Sequence, residues 1–257
     1  MTTRVRTERT ADRIAIVTLD GPPLNLNSLA SIEELARTFI EIDRDSHVRA
    51  VVVTGAGQRI FSAGSDIKEF PALREDIVGL KLERENDAFR RIECCSKPVI
   101  AAIEGLALGG GCELAMACDL RIASEVARFG FPELRLGVFP GSGGLYRLPR
   151  LVGHARALEM MLLGDQINAA EALRIGLVNR VVEQGQALGK AIELAKQMAS
   201  SAALAVAVIK RGLRELAQPY EQALELNLAL SDQVFRSEDC REGIAAFLEK
   251  RTPRFGG

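Results

Sequence analysis

The residues of this chain best suited to chemistry are glycines and carboxylates. GLALGGGCELAMACD (105–119) places Gly109, Gly110 and Gly111 at the start of an apolar helix, with Glu113 in its first turn. A glutamate is welcome near any helix N-terminus, where it complements the dipole. Three consecutive glycines are harder to explain, because glycine costs a helix interior about 1 kcal/mol per position. Close backbone approach to a ligand, with free N–H groups aimed at a negative atom, would account for them. FSAGSDIKEF (61–70) sets Ala63, Gly64 and Ser65 between a strand and a helix, either as a turn capped by Asp66 or as a second loop of that kind. FGFPELRLGVFPGSGG (129–144) adds Pro132, a second carboxylate at Glu133, and another glycine-rich helix start. Any one of the three segments could be structural; their joint occurrence points to a site.

Other chemistries find little support. VVVTGAGQRI carries a strand and G-x-G, but Ile60 stands where a dinucleotide fingerprint needs its third glycine, and no phosphate-binding G-x-x-x-x-G-K-[ST] occurs. The only histidines, His47 and His154, lie in charged or turn-like surroundings with no G-x-S-x-G near either. Without cysteine pairs they make a zinc site improbable, so no metal is expected.

The chain has 257 residues, 47% of them hydrophobic, enough for a substantial core. Its 33 basic and 34 acidic residues leave a net charge of −1, and aromatics make up only 5% with no tryptophan. That balance lacks the electrostatic and stacking surfaces of a nucleic-acid binder. The five cysteines are odd in number and form no C-x-x-C, a reduced, cytoplasmic pattern. No apolar run reaches membrane-spanning length, and MTTRVRTERTADR has no signal-peptide core.

The elements that must position the carboxylates alternate along the chain. RIAIVTLD (13–20), AVVVTG (50–55), PVIAAI (98–103), DLRIAS (119–124) and LVNRVV (177–182) read as strands. Ser28 caps a helix through IEELARTFIEID, a polar helix is expected across 72–93, and NAAEALRIG is capped by its asparagine. From about Leu188 the pattern is helical to the end, with Pro219 separating two helices. An α/β core of residues 1–195 followed by a helical region of 196–257 is expected. The apolar stripes of that tail need cover, and a second subunit would supply it.

FSAGSDIKEF, KPVIAAIEGLALGGGCELAMACDLRIAS and FGFPELRLGVFPGSGGLYRLPRLVG, with GLVNRVV and EGIAAFLEKRTPRF, resemble the crotonase (enoyl-CoA hydratase/isomerase) superfamily along essentially the whole chain. The resemblance implies a spiral of β-β-α units with a C-terminal trimerisation region, assembled as a trimer or dimer of trimers. It implies an acyl-coenzyme A thioester as substrate, in the chemistry of fatty-acid β-oxidation, with no separate cofactor. Stabilisation of a thioester enolate is the family's shared chemistry. By motif, the backbone N–H groups of Ser65 and Gly110 form the oxyanion hole. Glu113 holds and activates the water, and Glu133 transfers the proton at Cα. Retention of both glutamates favours hydration of a 2-enoyl-CoA over double-bond isomerisation, with isomerisation or dehydration of a specialised hydroxyacyl-CoA as the alternative.

Ala63, Ser65, Asp66, Ile67, Lys68 and Gly110, with Phe247 and Lys250 from the terminal helix, carry over as substrate contacts. The chain departs from the common hydratases at Phe131, where glutamine is usual, at Glu104, where asparagine is frequent, and at Leu145-Tyr146 in place of Thr-Gln. Phe131 could line a pocket for a longer, branched or cyclic acyl group or could be plain core. Glu104 could be a third acidic group or a surface turn residue.

Overall fold

The computed structural model describes residues 3–215 and 237–256. Strand-forming segments assemble into two sheets. The larger is built from β1 (Arg4–Arg9), β2 (Ile14–Asp20), β3 (Ala50–Gly55), β5 (Val99–Ile103), β7 (Leu120–Ser124) and β10 (Arg180–Val182), in the order β1-β2-β3-β5-β7-β10. Only β1 runs antiparallel to its neighbour; the other pairings are parallel. The smaller sheet pairs β4 (Ile60–Ser62), β6 (Leu106–Leu108), β8 (Arg128–Gly130) and β9 (Ile167–Asn168) in that order.

Three consecutive units repeat one plan: β3 and β4, β5 and β6, β7 and β8 each give one strand to the large sheet, the next to the small sheet, and then enter helical structure. That is the expected spiral of β-β-α units. Alternation within the central strands divides the core in two. Val51, Val53, Val99, Ala101 and Ile103 face the main cluster, whereas Ala50, Val52, Ile100 and Ala102 face a smaller one. The main face is covered by α1 (Leu29–Arg44), with Ser28 accepting from the Ser31 N–H as N-cap, and by α3 (Glu83–Cys94) and α4 (Gly110–Ala117).

Several expectations need correction. The polar N-terminus holds an edge strand, β1, in which only Val5 is buried while Arg4 and Arg6 stay exposed. The polar helix expected over 72–93 is broken. α2 (Phe70–Leu73) gives way to a 3-10 turn and then to a wide-turned segment, Val78–Leu82, before α3 starts. The strand expected over 177–182 forms only at 180–182, because Leu177 and Val178 are buried in the turn that precedes it.

α5 (Gly144–Val152), α6 (His154–Leu163) and α7 (Ala169–Arg174) follow the small sheet. α8 (Ala187–Ala199) runs straight through the boundary expected at 195/196. Its Ala191, Leu194 and Ala195 close the smaller core cluster against Ile14, Val52 and Ile100, so the helix belongs to the core. α9 (Ala203–Glu215) and a terminal helix, Glu238–Leu248, supply the expected helical tail. The helix break read at Pro219 lies outside the described residues. No single described helix is long and apolar enough to cross a membrane.

Candidate active site

The two glycine loops meet because their backbones are packed without intervening side chains. A Cβ on Gly111 would sit 2.2 Å from the carbonyl oxygen of Ser62, and one on Gly64 would sit 2.8 Å from that of Leu108. Neither residue can carry a side chain without separating the loop from α4. The loop is stitched to the chain before α1: the Asn27 N–H donates to Gly64 O at 2.9 Å, and the Asp66 N–H donates to Asn27 O at 3.1 Å. This pairing uses the groups on either side of Ser65 and leaves the Ser65 N–H facing away from it. Gly110 is the first residue of α4, so its N–H has no intrahelical partner. A Cβ built on Gly64 would lie 3.1 Å from Gly110 N, and one on Gly110 would lie 3.5 Å from Ser65 N. The two expected oxyanion donors are therefore neighbours.

Glu113 lies on the first turn of α4 and is 2% exposed. Its Oε1 accepts from the Ser142 N–H at 2.8 Å and the Gly144 N–H at 2.7 Å. Both donors belong to the second glycine-rich segment, at the start of α5. That segment is itself held from behind. Arg147, 4% exposed, donates to Ser142 O at 3.1 Å and pairs with Glu93 of α3 at 2.8 Å. Burial raises the Glu113 carboxyl to about 8; the Gly144 and Ser142 donors work against that shift, and the charges of Glu133 and Glu85 add to it.

Glu133 sits in a short 3-10 turn, Pro132–Leu136, closed by Gly137 in the left-handed region at φ 72°. Its Oε1 approaches to 2.9 Å from where a Cβ of Gly109 would stand, which places the carboxyl against the helix start that carries Glu113. Its Oε2 is buried without a hydrogen-bond partner among the described residues. Burial raises this carboxyl to about 7. The structure thus brings Glu113, Glu133, Ser65 and Gly110 together, with two carboxyls lifted toward neutral pH beside two directed N–H groups. Such a set can stabilise a developing oxyanion while moving protons on either side of it.

The remaining expected contacts divide. Ser65 and Asp66 are half-buried at the loop, and Ile67 and Lys68 are exposed beyond it, with Asp66 capping the turn through the Lys68 N–H. Ala63 is half-buried and donates its N–H to Leu24 O. Lys250 is exposed just after the terminal helix, and the side chain of Phe247 lies outside the described structure. Phe131 is fully enclosed in the main core cluster, so its ring offers no surface to an acyl chain and acts as packing. Glu104 is neither a third acid nor a surface residue. It is buried, and its two oxygens accept from the N–H groups of Gly185 and Ala187 at the start of α8.

Sequence reasoning passed over Asn27, Lys81, Glu85, Ser142 and Arg147, all buried around this site. Lys81 and Glu85 stand four apart in a stretch that reads as an ordinary solvated helix face, and no local signal separates them from their exposed neighbours. Among the described residues no cluster of histidine, cysteine, aspartate and glutamate could hold a metal ion.

The profile of the enoyl-CoA hydratase/isomerase family matches residues 9–257. The chain is 44% identical over 247 residues to a protein of Bacillus subtilis (strain 168) named "Probable enoyl-CoA hydratase", covering 95% of each. It is 44% identical over 242 residues to the short-chain-enoyl-CoA hydratase of Clostridium acetobutylicum, covering 93% of this chain and 92% of the other. The crystal structure of an enoyl-CoA hydratase from Bacillus anthracis superposes with a TM-score of 0.95 at 37% identity, covering 99% of both chains.

Proposed function

This chain belongs to the enoyl-CoA hydratase/isomerase family, and we propose that it is an enoyl-CoA hydratase, a hydro-lyase that adds water to the Cα=Cβ bond of a 2-enoyl-CoA. The observation that carries this reading is the pair of carboxyls, buried Glu113 and half-buried Glu133, flanking the Gly109–Gly110 step beside Ser65 N. A reaction that only shifts a double bond needs one group to carry a proton between carbons. Hydration needs one group at the water and another at Cα.

The geometry supports the following course for the reaction. Glu113, anchored by two N–H groups on Oε1, presents its other oxygen to a water. That water loses a proton to the carboxylate as its oxygen bonds to Cβ. The π electrons move toward the thioester, whose oxygen gathers negative charge against the N–H groups of Ser65 and Gly110. Glu133, in its acid form, returns a proton to Cα, completing the 3-hydroxyacyl-CoA. One proton has moved onto Glu113 and one off Glu133, so the pair holds the same number before and after and titrates as a unit. These steps move water and protons alone and call for no metal or redox group; coenzyme A enters as part of the substrate.

The open Asp66–Lys68 segment supports a role in holding the coenzyme, with Lys250 as a second cation for its phosphates. Exposed apolar side chains, including Leu136, Phe139, Leu145, Leu162 and Leu163, support assembly as a trimer or a dimer of trimers. Five free cysteines support a reducing, cytoplasmic setting, with fatty-acid β-oxidation as the metabolic context and no nucleic-acid or membrane partner.

The test is loss of the conjugated thioester absorbance when the protein meets crotonyl-CoA and a panel of longer, branched and cyclic enoyl-CoAs. Hydration undiminished by both Glu113→Gln and Glu133→Gln would defeat the mechanism.

A further inference from the structure

A third carboxylate lies behind the site, and its contacts join the two walls. Glu85, in the first turn of α3, is 1% exposed. Its Oε1 accepts from the Ser65 hydroxyl at 3.0 Å, and its Oε2 accepts from the Ser142 hydroxyl at 2.7 Å. Ser65 carries one of the oxyanion N–H groups, and Ser142 carries one of the two N–H groups that grip Glu113. The same carboxylate therefore fixes the side chains of two residues whose main chains act on the substrate side.

Its charge is matched by Lys81, in the wide-turned segment that precedes α3. Lys81 Nζ lies 3.6 Å from Glu85 Oε1 and donates to Asn27 O at 3.0 Å and to Glu69 Oε2 at 3.2 Å. The Asn27 carbonyl is the one that also accepts from the Asp66 N–H. Lys81 thus ties the Glu85 carboxylate to the strap beneath the oxyanion loop. Neighbouring Asn86 donates to Gly141 O at 2.9 Å, binding α3 to the Glu113-holding loop a second time.

A buried ion pair of this kind is a poor source of net stability, because desolvation consumes most of its attraction. Apolar side chains of similar volume would pack α3 as well. What a carboxylate adds is two oxygens at a fixed separation, each directing one hydroxyl. Resting on the reading of this site as a hydratase, we infer that Glu85, balanced by Lys81, is a positioning residue that sets the Ser65 N–H and the Glu113 carboxyl relative to one another.

The test compares Glu85→Gln, Glu85→Ala, Ser142→Ala and Glu85→Ala/Ser142→Ala in crotonyl-CoA hydration. It also follows the infrared carbonyl stretch of bound 1-¹³C-labelled 3-hydroxybutyryl-CoA. For Glu85→Ala we expect kcat to fall at least about 10-fold with KM changed less than about 3-fold, the pattern of an interaction realised mainly in the transition state. Glu85→Gln keeps one acceptor and should lose less. In the Ser142→Ala background the Glu85→Ala loss should shrink, since one arm of the clamp is already gone. The bound carbonyl stretch should move toward its value in water as Ser65 N drifts from the oxygen.

Glu85→Ala with lowered thermal stability but wild-type kcat, KM and carbonyl stretch would overturn the inference. Should Glu85→Ala fail to fold, Glu85→Gln and Ser142→Ala decide it, and wild-type kcat and carbonyl stretch in both would overturn it equally. Should the wild type hydrate no enoyl-CoA, the hydratase reading fails. The carbonyl stretch, which needs only a bound thioester, still judges the clamp.

Discussion

Glu113 and Glu133 are the same residue type with similar tasks, yet they are mounted differently. Glu113 rides on a helix with every residue buried, and two N–H groups hold one of its oxygens. Glu133 stands on a single short turn whose following residues, Leu134 to Phe139, are all exposed, and one of its oxygens has no hydrogen-bond partner among the described residues. An anchored carboxyl suits a group that must keep a water in one place. A carboxyl with an unpaired oxygen suits one that must reach a carbon and leave it. The difference also places the fixed half of the site in α4, the proposed seat of the thioester oxygen, and the adjustable half at the turn proposed to serve Cα.

Removing either carboxyl should break the comparison most severely. Glu113→Gln and Glu133→Gln are each expected to lower kcat by about 10²–10⁴, the range of a lost general acid or base. If the halves differ as described, the pH profiles will differ too. In the wild type, activity should be greatest where the pair holds one proton, between about 7 and about 8. It should fall below that interval as both become protonated and above it as both ionise. Either single variant should lose the bell shape, leaving one limb in a plot of kcat/KM against pH.

Gly111→Ala tests the fixed half. Its Cβ would meet Ser62 O at 2.2 Å, forcing α4 away from the loop that carries Ser65. We expect a loss of about 10²–10³ in kcat, comparable to removing an oxyanion donor, measured alongside circular dichroism to show that the fold persists.

The raised carboxyl pKa values should also appear in stability. Both carboxyls titrate higher in the folded chain than the ordinary value of 4.5. The native state therefore binds more protons than the unfolded one across that interval. Their contribution is fully present below 4.5, declines as pH rises, and is lost above about 8. A double Glu113→Gln/Glu133→Gln variant should have a melting temperature that falls less between pH 5 and pH 8 than the wild type, read in buffers spanning roughly that range.

The smallest effect is expected furthest from the comparison. Glu104→Ala removes two acceptors from the α8 start and should cost about 1–2 kcal/mol in denaturant unfolding, the scale of a lost helix cap. kcat should stay unchanged. A large fall in kcat would restore Glu104 as a third acid of the site.

The parts of this protein that could be read in advance are those whose signal is local. β3 and β5 are short runs of branched and small apolar residues, and Ser28 announces α1 as an N-cap. The strands Ile60–Ser62, Leu106–Leu108 and Arg128–Gly130 were not legible, because three residues show no periodicity and are extended only through their pairing. The end of α8, 196–199, reads as part of the tail because nothing in the helix's own sequence says how far its contact with the sheet extends.

The site divides along the same line. By itself the sequence marked the glycine-rich helix starts and the two carboxylates, constraints written on adjacent residues, and the family resemblance turned them into expected donors and acids. It left Glu85 indistinguishable from Glu83, two residues away and exposed. Only the tertiary structure decided that one of them would face Ser65 and Ser142, which stand 20 and 57 residues away. Burial, and with it the chemistry of a carboxylate, is set by which distant segments close around it.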